Sequence, residues 1–364
     1  MAENIFAEET EEKFSERFSE MIFSSITCLA VAMGEETGLF QVMTATDTPR
    51  TSQEIADAGN FKERYVREWL STMVTSHIVN YDPVKETYWL PAHRRCVTNS
   101  LASWSLLPPV LSTAFFPLAQ CFKKDGPAGV SYEVYPKFDH TLNKIHGPLF
   151  ENTLLNDVLP TMPELLEKLE SGIKVIDVGC GPGSSTLVLA KRFPKSQIYG
   201  LDQAEKPLIK AREEAKSIGL TNAIFVCTDV ATLPADWTGQ YGYAFAHMII
   251  HDLADPPKVL KEILRVLTPG GVLSVFDPKL ESDLQDNISH TSRSLAYATS
   301  TFYAVSMMNC VPTSLFTEGG AGLGVGFGRR KMTELLKEIG FAVTAVGDGM
   351  EGSWHFLCNK KLAP

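Results

Sequence analysis

The sequence predicts an α/β protein with a doubly wound, mostly parallel sheet and a mainly helical domain before it. Two observations carry this prediction. From Ile173 onward, short apolar segments alternate with helical segments, which is typical of a parallel sheet covered by helices on both faces. Before residue 150, apolar residues recur at helical spacing and lead into a two-stranded ribbon signal. We therefore predict two domains, residues 1–150 and residues 151–364.

The composition is that of an ordinary globular protein. Of the 364 residues, 44% are hydrophobic and 21% are charged, which excludes a disordered or fibrous chain. The formal net charge of -10 argues against a nucleic-acid-binding protein, which needs a surplus of Lys and Arg. Seven scattered cysteines without a C-x-x-C pair argue against a disulfide framework or a zinc ribbon. Because the N-terminus is acidic and no apolar run reaches about 18 residues, we predict a cytoplasmic protein without a membrane span.

The N-terminal domain has the pattern of a winged-helix unit. Thr51 and Glu54 form a capping-box pattern, in which hydroxyl and carboxylate satisfy each other's backbone N–H groups. Between Arg50 and Val97, seven Lys and Arg stand against six Asp and Glu, a thin surplus for phosphate binding. We therefore favour dimerisation and lid support over DNA recognition. The predicted elements are helices within 11–45, at 55–58 and at 63–76, and a ribbon of 78–82 with 86–90.

The C-terminal domain shows strands and helices in alternation. The predicted strands are 174–178, 197–201, 223–227, 243–248, 272–276, 342–346 and 354–358. The predicted helices are 184–192, 207–218, 257–266 and 331–339. Short loops between them indicate a parallel sheet, whose strand carboxyl ends meet at one edge.

The sharpest chemical signal is Asp177-Val178-Gly179-Cys180-Gly181-Pro182-Gly183, which follows a strand and opens a helix. Such glycines let the backbone turn tightly and let a ligand approach without a Cβ clash. Asp202 ends the next strand, where a carboxylate can bridge ribose hydroxyls. Asp177 would repel a dinucleotide pyrophosphate but would attract a ligand that carries an amino group. The pattern therefore favours S-adenosylmethionine over a nicotinamide dinucleotide.

Asp229 follows the third strand of this domain, where its carboxylate either accepts an adenine amino group or caps the next turn. With the glycine segment, Asp202 and the Pro-Gly-Gly turn at 269–271, it resembles the class I S-adenosylmethionine-dependent methyltransferases over residues 170–277. The whole chain resembles small-molecule O-methyltransferases that carry an N-terminal winged-helix dimerisation domain. Residues 318–324 resemble a less characterised group of these proteins from bacteria and animals.

The resemblance implies a Rossmann-like, seven-stranded, mostly parallel sheet. It also implies S-adenosyl-L-methionine as cofactor at the carboxyl ends of the first four strands, a small-molecule acceptor between the domains, and a homodimer. Nucleic acid and membrane partners are not expected. The residues that we expect at the cofactor are Asp177, Gly179, Cys180, Gly181, Gly183, Asp202, Gln203, Asp229, Val230 and His247.

His251 is the candidate general base. The resembling O-methyltransferases place a His-Asp pair after the fourth strand, and His251 matches it; Asp277 stands where they place an orienting acid. An imidazole near neutrality can take the proton of a hydroxyl acceptor, provided that a carboxylate holds its tautomer. Arg329 and Arg330 occupy the place of a second acid. The alternative is a packing or capping histidine.

No metal site is expected. His247 and His251 are four residues apart and could share a metal on a helix, but the sequence offers no nearby acid pair or cysteine to complete the site.

Two segments fall outside the strand–helix alternation. Residues 100–150 are aromatic-rich and broken by prolines, so they either cover a ligand or partner or pack within the chain. Residues 278–327 are expected as an insertion over the acceptor site, either as an apolar lid or as a helical core or dimer contact. The glycine-rich part of this insertion, 319–328, is either a mobile gate or a flexible linker.

The predicted function is methyl transfer from S-adenosylmethionine to a small-molecule acceptor, with a hydroxyl as the favoured acceptor group. Two alternatives stay open. One is methylation of nitrogen or sulfur by proximity alone, because a thiolate or neutral amine is already nucleophilic. The other is a winged-helix regulator that binds S-adenosylmethionine without catalysis.

Overall fold

The computed structural model describes residues 9–98, 100–288, 293–350 and 352–362, so the first residues of the acidic N-terminus lie outside it. The chain forms two compact units. Among the described residues, the helical unit comprises 9–113 and 136–146, and the sheet unit comprises 114–135 and 147–362. These units differ from the predicted domains, residues 1–150 and 151–364. Residues 114–135 join the sheet unit because they pack within it: the N–H of Val130 donates to the carbonyl of Pro312 at 3.1 Å.

The helical unit contains the winged-helix elements. The capping box is present, since Thr51 Oγ1 accepts from the Glu54 N–H at 3.3 Å and the Glu54 carboxylate accepts from the Thr51 N–H at 2.8 Å. Trp69 is buried, and its indole N–H donates to the Ala30 carbonyl at 2.9 Å. The elements are α1 (Glu11–Thr37), α2 (Leu39–Thr44), α3 (Ser52–Gly59), α4 (Glu63–Thr75), β1 (Asn80–Asp82), β2 (Thr87–Trp89), α5 (Ser100–Ser103) and α6 (Leu107–Leu111).

Helix α1 carries an exposed apolar face. By length and composition alone, it would be long and apolar enough to cross a membrane, which the sequence analysis did not anticipate. Its uncharged core lies between Glu20 and Glu35, which at 1.5 Å per residue is shorter than a bilayer's hydrocarbon core. Glu35 is buried and pairs with Lys144 at 3.3 Å. The large side chains left exposed are Phe14, Phe18, Met21, Ile22, Phe23, Ile26, Leu29 and Met33.

The sheet unit holds seven strands in the order β5-β4-β3-β6-β7-β9-β8, which confirms the predicted fold class. Strands β3 to β7 pair in parallel with one another, and β9 runs antiparallel to its two neighbours β7 and β8. The strands are β3 (Lys174–Val178), β4 (Gln197–Asp202), β5 (Ala223–Cys227), β6 (Tyr241–His247), β7 (Leu267–Pro278), β8 (Ala342–Asp348) and β9 (Ser353–Asn359).

Helices cover both faces of this sheet, and alternate side chains of each strand face opposite cores. In β3, Val175 faces one core and Ile176 faces the other. The helices are α7 (Phe115–Cys121), α8 (Phe138–Leu149, which begins in the helical unit), α9 (Pro163–Ser171), α10 (Ser184–Arg192), α11 (Glu205–Ser217), α12 (Pro256–Val266), α13 (Leu284–Asn287), α14 (Arg293–Val305), α15 (Val311–Phe316) and α16 (Gly328–Ile339).

Candidate functional site

The loop between β3 and α10 turns on three glycines with positive φ: Gly179 at 67°, Gly181 at 51° and Gly183 at 86°. They differ in what surrounds them. A Cβ on Gly179 would lie 1.8 Å from Cδ1 of Ile249, and one on Gly183 would lie 2.6 Å from the ring of Phe225. A Cβ on Gly181 would meet nothing within 4 Å. The first and last glycines are therefore required by packing, whereas Gly181 borders open space.

Asp177 lies on the α10 side of the sheet because it shares the strand face of Val175. Its Oδ2 accepts hydrogen bonds from the hydroxyls of Ser185 and Thr186, both at 2.6 Å. Burial raises the pKa of Asp177 to about 6, although both hydroxyls act to lower it. The carboxyl is thus a buried acceptor under the start of α10.

Asp202 is fixed at the end of β4 by two backbone groups. Its Oδ2 accepts from the Gly181 N–H at 2.9 Å, and its Oδ1 accepts from the Ala204 N–H at 2.8 Å. The next residue, Gln203, is exposed. These bonds bring the Asp202 carboxylate to the glycine loop, as the spacing between the two motifs predicts.

The other expected cofactor residues occupy varied surroundings. Asp229 is exposed and caps a turn, since its Oδ1 accepts from the Ala231 N–H at 2.8 Å. Val230 is half-buried against the sheet core, and Cys180 is buried in an apolar cluster with Leu208, Ala211 and Phe225 among its members. His247 ends β6 with its ring edge-on to Phe150, the ring centroids 5.1 Å apart.

The loop after β6 begins with a residue, Met248, in the left-handed backbone conformation. Met248 has φ 53°, and its N–H donates to the Phe276 carbonyl of β7 at 2.7 Å. This conformation is unusual for a residue with a side chain and marks a functional loop in many proteins. The chain then enters a single 3-10 turn, Ile250–Asp252, which carries His251.

His251 lies between two carboxylates. The ring is 4% exposed, with Nδ1 at 2.8 Å from Asp277 Oδ1 and Nε2 at 3.0 Å from Asp252 Oδ1. Burial lowers the pKa of His251, but the charges of Asp252 and Asp277 outweigh it, so the pKa lies well above its usual value. The structure therefore brings His251 and Asp277 together as predicted and adds Asp252 on the other ring nitrogen.

Cys310 completes this cluster. Its Sγ, the His251 ring and the Asp252 carboxylate offer donor atoms that all lie within 4.8 Å of one another. Burial raises the pKa of the Cys310 thiol to about 12. The sequence offers no nearby acid pair or cysteine to complete a metal site at His251, whereas the structure brings Asp252 and Cys310 to its ring. Asp252 could have been found from its adjacency to His251, but 59 positions separate Cys310 from His251 and the sequence carries no signal that pairs them.

The second acid of the His251 environment is Asp252, not a residue of the last helix. Arg329 and Arg330 instead pair with Glu281 and Asp283 in half-exposed or exposed positions.

The glycine-rich segment 319–328 is neither a free linker nor a detached gate in this structure. The Gly324 N–H donates to the His251 carbonyl at 3.2 Å, and the Ala321 N–H donates to the Ala254 carbonyl at 2.9 Å. The Gly322 N–H donates to Ser314 Oγ at 3.1 Å. These bonds fasten the segment to the His251 loop.

Two family models match the chain. The one described as "Methyltransferase domain" matches residues 169–340, and the one described as "Rv2258c-like winged HTH domain" matches residues 25–99. The first match contains the glycine loop, Asp202, His251 and Cys310. Residues 169–340 thus match a methyltransferase domain. The winged-helix match precedes this domain in the chain, in the order that the sequence predicts.

Known structures share the fold of this chain along most of its length. An O-methyltransferase family protein from Burkholderia thailandensis superposes with TM-score 0.65 and 14% identity, covering 98% of this chain and 100% of that one. Human N-acetylserotonin methyltransferase, solved in complex with S-adenosylmethionine, superposes with TM-score 0.64 and 14% identity, covering 98% and 99%. At these identities, the likeness shows the fold.

Sequence similarity to curated relatives is confined to part of the chain. Trans-aconitate 2-methyltransferase from Variovorax paradoxus is 37% identical over 118 residues, which are 32% of this chain and 43% of that protein. The chain thus spans less than half the length of this relative.

The residues around Gly181 fit S-adenosylmethionine, the compound bound in the human neighbour. Open space borders Gly181, and the Asp202 carboxylate stands beside that space with its position set by backbone N–H groups. A carboxylate held in this way suits ribose hydroxyls. Positive φ at Gly179, Gly181 and Gly183 turns the backbone tightly at the same place.

Proposed function

We propose that the protein transfers a methyl group from S-adenosylmethionine to a hydroxyl of a small molecule, with His251 as the general base. The observation that carries this proposal is the buried contact between His251 Nδ1 and Asp277 Oδ1 at 2.8 Å. It lies at the carboxyl ends of β6 and β7, the edge of the sheet that also holds the glycine loop. The structural neighbours described as O-methyltransferases support the choice of oxygen.

In the proposed mechanism, Asp277 accepts a hydrogen bond from the Nδ1–H of His251, which keeps the proton on Nδ1 and leaves the Nε2 lone pair to act as base. The bound cofactor supplies an electrophilic methyl group. Asp252 contacts Nε2 at 3.0 Å, so the acceptor hydroxyl has to take its place before it can give up a proton. Since the pKa of His251 lies well above its usual value, the neutral form needed for proton removal is scarce at neutral pH. We therefore expect the methylation rate to rise with pH above neutrality.

The test is transfer of label from methyl-labelled S-adenosylmethionine into a small-molecule extract by the purified full-length protein. Label at oxygen in a discrete compound supports the proposal. The Gly181→Arg variant should show no transfer, because its side chain fills the open space beside the loop. Label in protein would contradict a small-molecule acceptor. Absence of label with tight cofactor binding would indicate a regulator that binds S-adenosylmethionine without catalysis.

One observation favours a second candidate, methylation of nitrogen or sulfur by proximity alone. Both ring nitrogens of His251 already contact carboxylates, an arrangement that also suits a purely structural imidazolium. His251→Gln separates the two candidates. A loss of activity of about a hundredfold or more supports base catalysis. A change of a few-fold, with cofactor affinity intact and with the exposed-site variant His93→Ala unaffected, would refute it.

We also propose that the protein is a cytoplasmic homodimer that uses the apolar face of α1. Phe23 and Ile26 are among the most exposed side chains on this helix, at 71% and 67%. A contiguous apolar face of this kind usually marks an interface. Sedimentation should give a dimer mass for the native chain and a monomer mass for Phe23→Glu with Ile26→Glu. Val84→Glu, at a position that is 89% exposed in another element, should leave the mass unchanged. A native monomer, or a protein recovered with membranes after cell fractionation, would contradict the proposal.

A further inference from the structure

We propose that His251, Asp252 and Cys310 form a binding site for a thiophilic divalent cation of the Zn²⁺ type. The three residues offer one imidazole nitrogen, one carboxylate oxygen and one sulfur. This mixed donor set is typical of zinc, and three protein ligands leave a fourth, open position. The proposal concerns the binding of a metal and does not depend on methyl transfer.

The geometry needs little adjustment to accept the ion. Nε2 of His251 and Oδ1 of Asp252 are 3.0 Å apart, and all three donor atoms lie within 4.8 Å of one another. Ligands at about 2.0 to 2.3 Å from a tetrahedral zinc ion lie roughly 3.3 to 3.8 Å apart. Small side-chain rotations of Asp252 and Cys310 therefore suffice. His251 itself does not need to move.

The other ring nitrogen of His251 is already arranged as in a metal-bound histidine. A zinc-binding histidine almost always gives its second N–H to a carboxylate or a carbonyl, which fixes the ring and raises its basicity. Asp277 plays this part, with Oδ1 at 2.8 Å from Nδ1. An unprotonated Nε2 and the Asp252 carboxylate would both be hydrogen-bond acceptors, so their contact at 3.0 Å is favourable only with a proton or a cation between them. Either a proton or a metal ion meets this requirement.

Local structure brings the sulfur to the site and leaves an entrance. Cys310 ends a π-helical turn, Ser306–Cys310, a rare element that is frequent at functional sites. Cys310 and His251 are buried, whereas the side chain of Asp252 is 32% exposed. Asp252 therefore forms the solvent side of the cluster, where an ion can enter.

Metal binding would release protons from the ligands and slow methyl transfer. The ion replaces the Nε2 proton of the imidazolium and the thiol proton of Cys310, so two protons are released and binding tightens as pH rises. The groups that face His251 are Asp252, Asp277 and Cys310. A metal on Nε2 occupies the lone pair that proton removal would use. The metal-bound protein is therefore expected to be a poorer catalyst of hydroxyl methylation than the metal-free protein.

The test is titration of the metal-free, full-length protein with Co²⁺, which substitutes for zinc and gives a thiolate charge-transfer band in the near ultraviolet. We expect one equivalent to bind with this band, and Cys310→Ser to abolish the band. Cys358→Ser, which alters another buried cysteine on β9, should retain it. X-ray absorption of the Zn²⁺-loaded native protein needs no variant and should show one sulfur ligand.

Absence of the band in the native protein, its persistence in Cys310→Ser, or a zinc ion without sulfur would each overturn the proposal. Binding of S-adenosylhomocysteine to the same samples is measured in parallel. It reports on the cofactor site alone, so failure of the metal proposal and failure of the methyltransferase proposal are distinguishable.

Discussion

Replacing Gly181 by alanine tests the cofactor site with a control that the chain itself provides. Gly181 and Gly219 both have positive φ, 51° and 73°, and a Cβ on either would meet nothing within 4 Å. Each substitution therefore carries the same backbone penalty, about 1 to 2 kcal/mol for a left-handed residue, and no clash. Gly219 lies after α11 at the opposite end of the parallel strands from the glycine loop. The two variants should lose similar stability.

Cofactor affinity should separate them. In Gly181→Ala the new methyl group occupies the space beside the Asp202 carboxylate, so we expect the affinity for S-adenosylhomocysteine to fall about tenfold or more, or about 1.4 kcal/mol. Gly219→Ala should bind as the native protein does. Calorimetric titration gives the affinities, and thermal unfolding gives the stabilities. Equal affinities of the two variants, with equal losses of stability, would refute the placement of the cofactor over Gly181.

Three further predictions follow from the electrostatics. The raised pKa of Asp177, about 6 against an ordinary 3.8, means that its stabilising contribution is full below pH 4 and is lost as pH rises through 6. Asp177→Asn should remove this loss and raise the free energy of unfolding in urea by up to about 3 kcal/mol at pH 7. If the variant and the native protein show the same dependence of stability on pH, the raised pKa of Asp177 is contradicted. Asp277→Asn should lower kcat by about tenfold to a hundredfold, because His251 loses its charged partner, while KM for the cofactor stays constant. A change in KM with kcat unaltered would contradict this role of Asp277. Lys144→Met should destabilise the helical unit by about 1 to 3 kcal/mol, since it leaves the Glu35 carboxylate buried without its cation, and adding Glu35→Gln should restore most of this loss.

The sheet unit could be predicted closely from sequence. Strand 174–178 and helix 184–192 were predicted to the residue, because an apolar run, a glycine turn and a helical period follow one another without interruption. The capping box at Thr51 was equally local and is present. Wherever adjacent residues determine the structure, the pattern was sufficient.

Contacts between distant residues could not be predicted in this way. Cys310 approaches His251 only through the fold of residues 278–327, for which no periodic pattern predicted a path. The compact units also differ from the predicted division at residue 150, since residues 114–135 join the sheet unit through tertiary contacts such as that of Val130. The apolar face of α1 is a further example. Helical spacing in the sequence identifies this face, but it does not reveal that the face stays exposed in a single chain.

The two backbone N–H groups that hold Asp202 have a consequence for regulation by product. In the proposed site, the Asp202 carboxylate is fixed before the ligand arrives and would contact the ribose, which S-adenosylmethionine and S-adenosylhomocysteine share. This contact would therefore not distinguish the methyl donor from its product. Turnover in the cell should consequently follow the ratio of the two compounds, so that this enzyme slows when demethylated cofactor accumulates even though the methyl donor is plentiful.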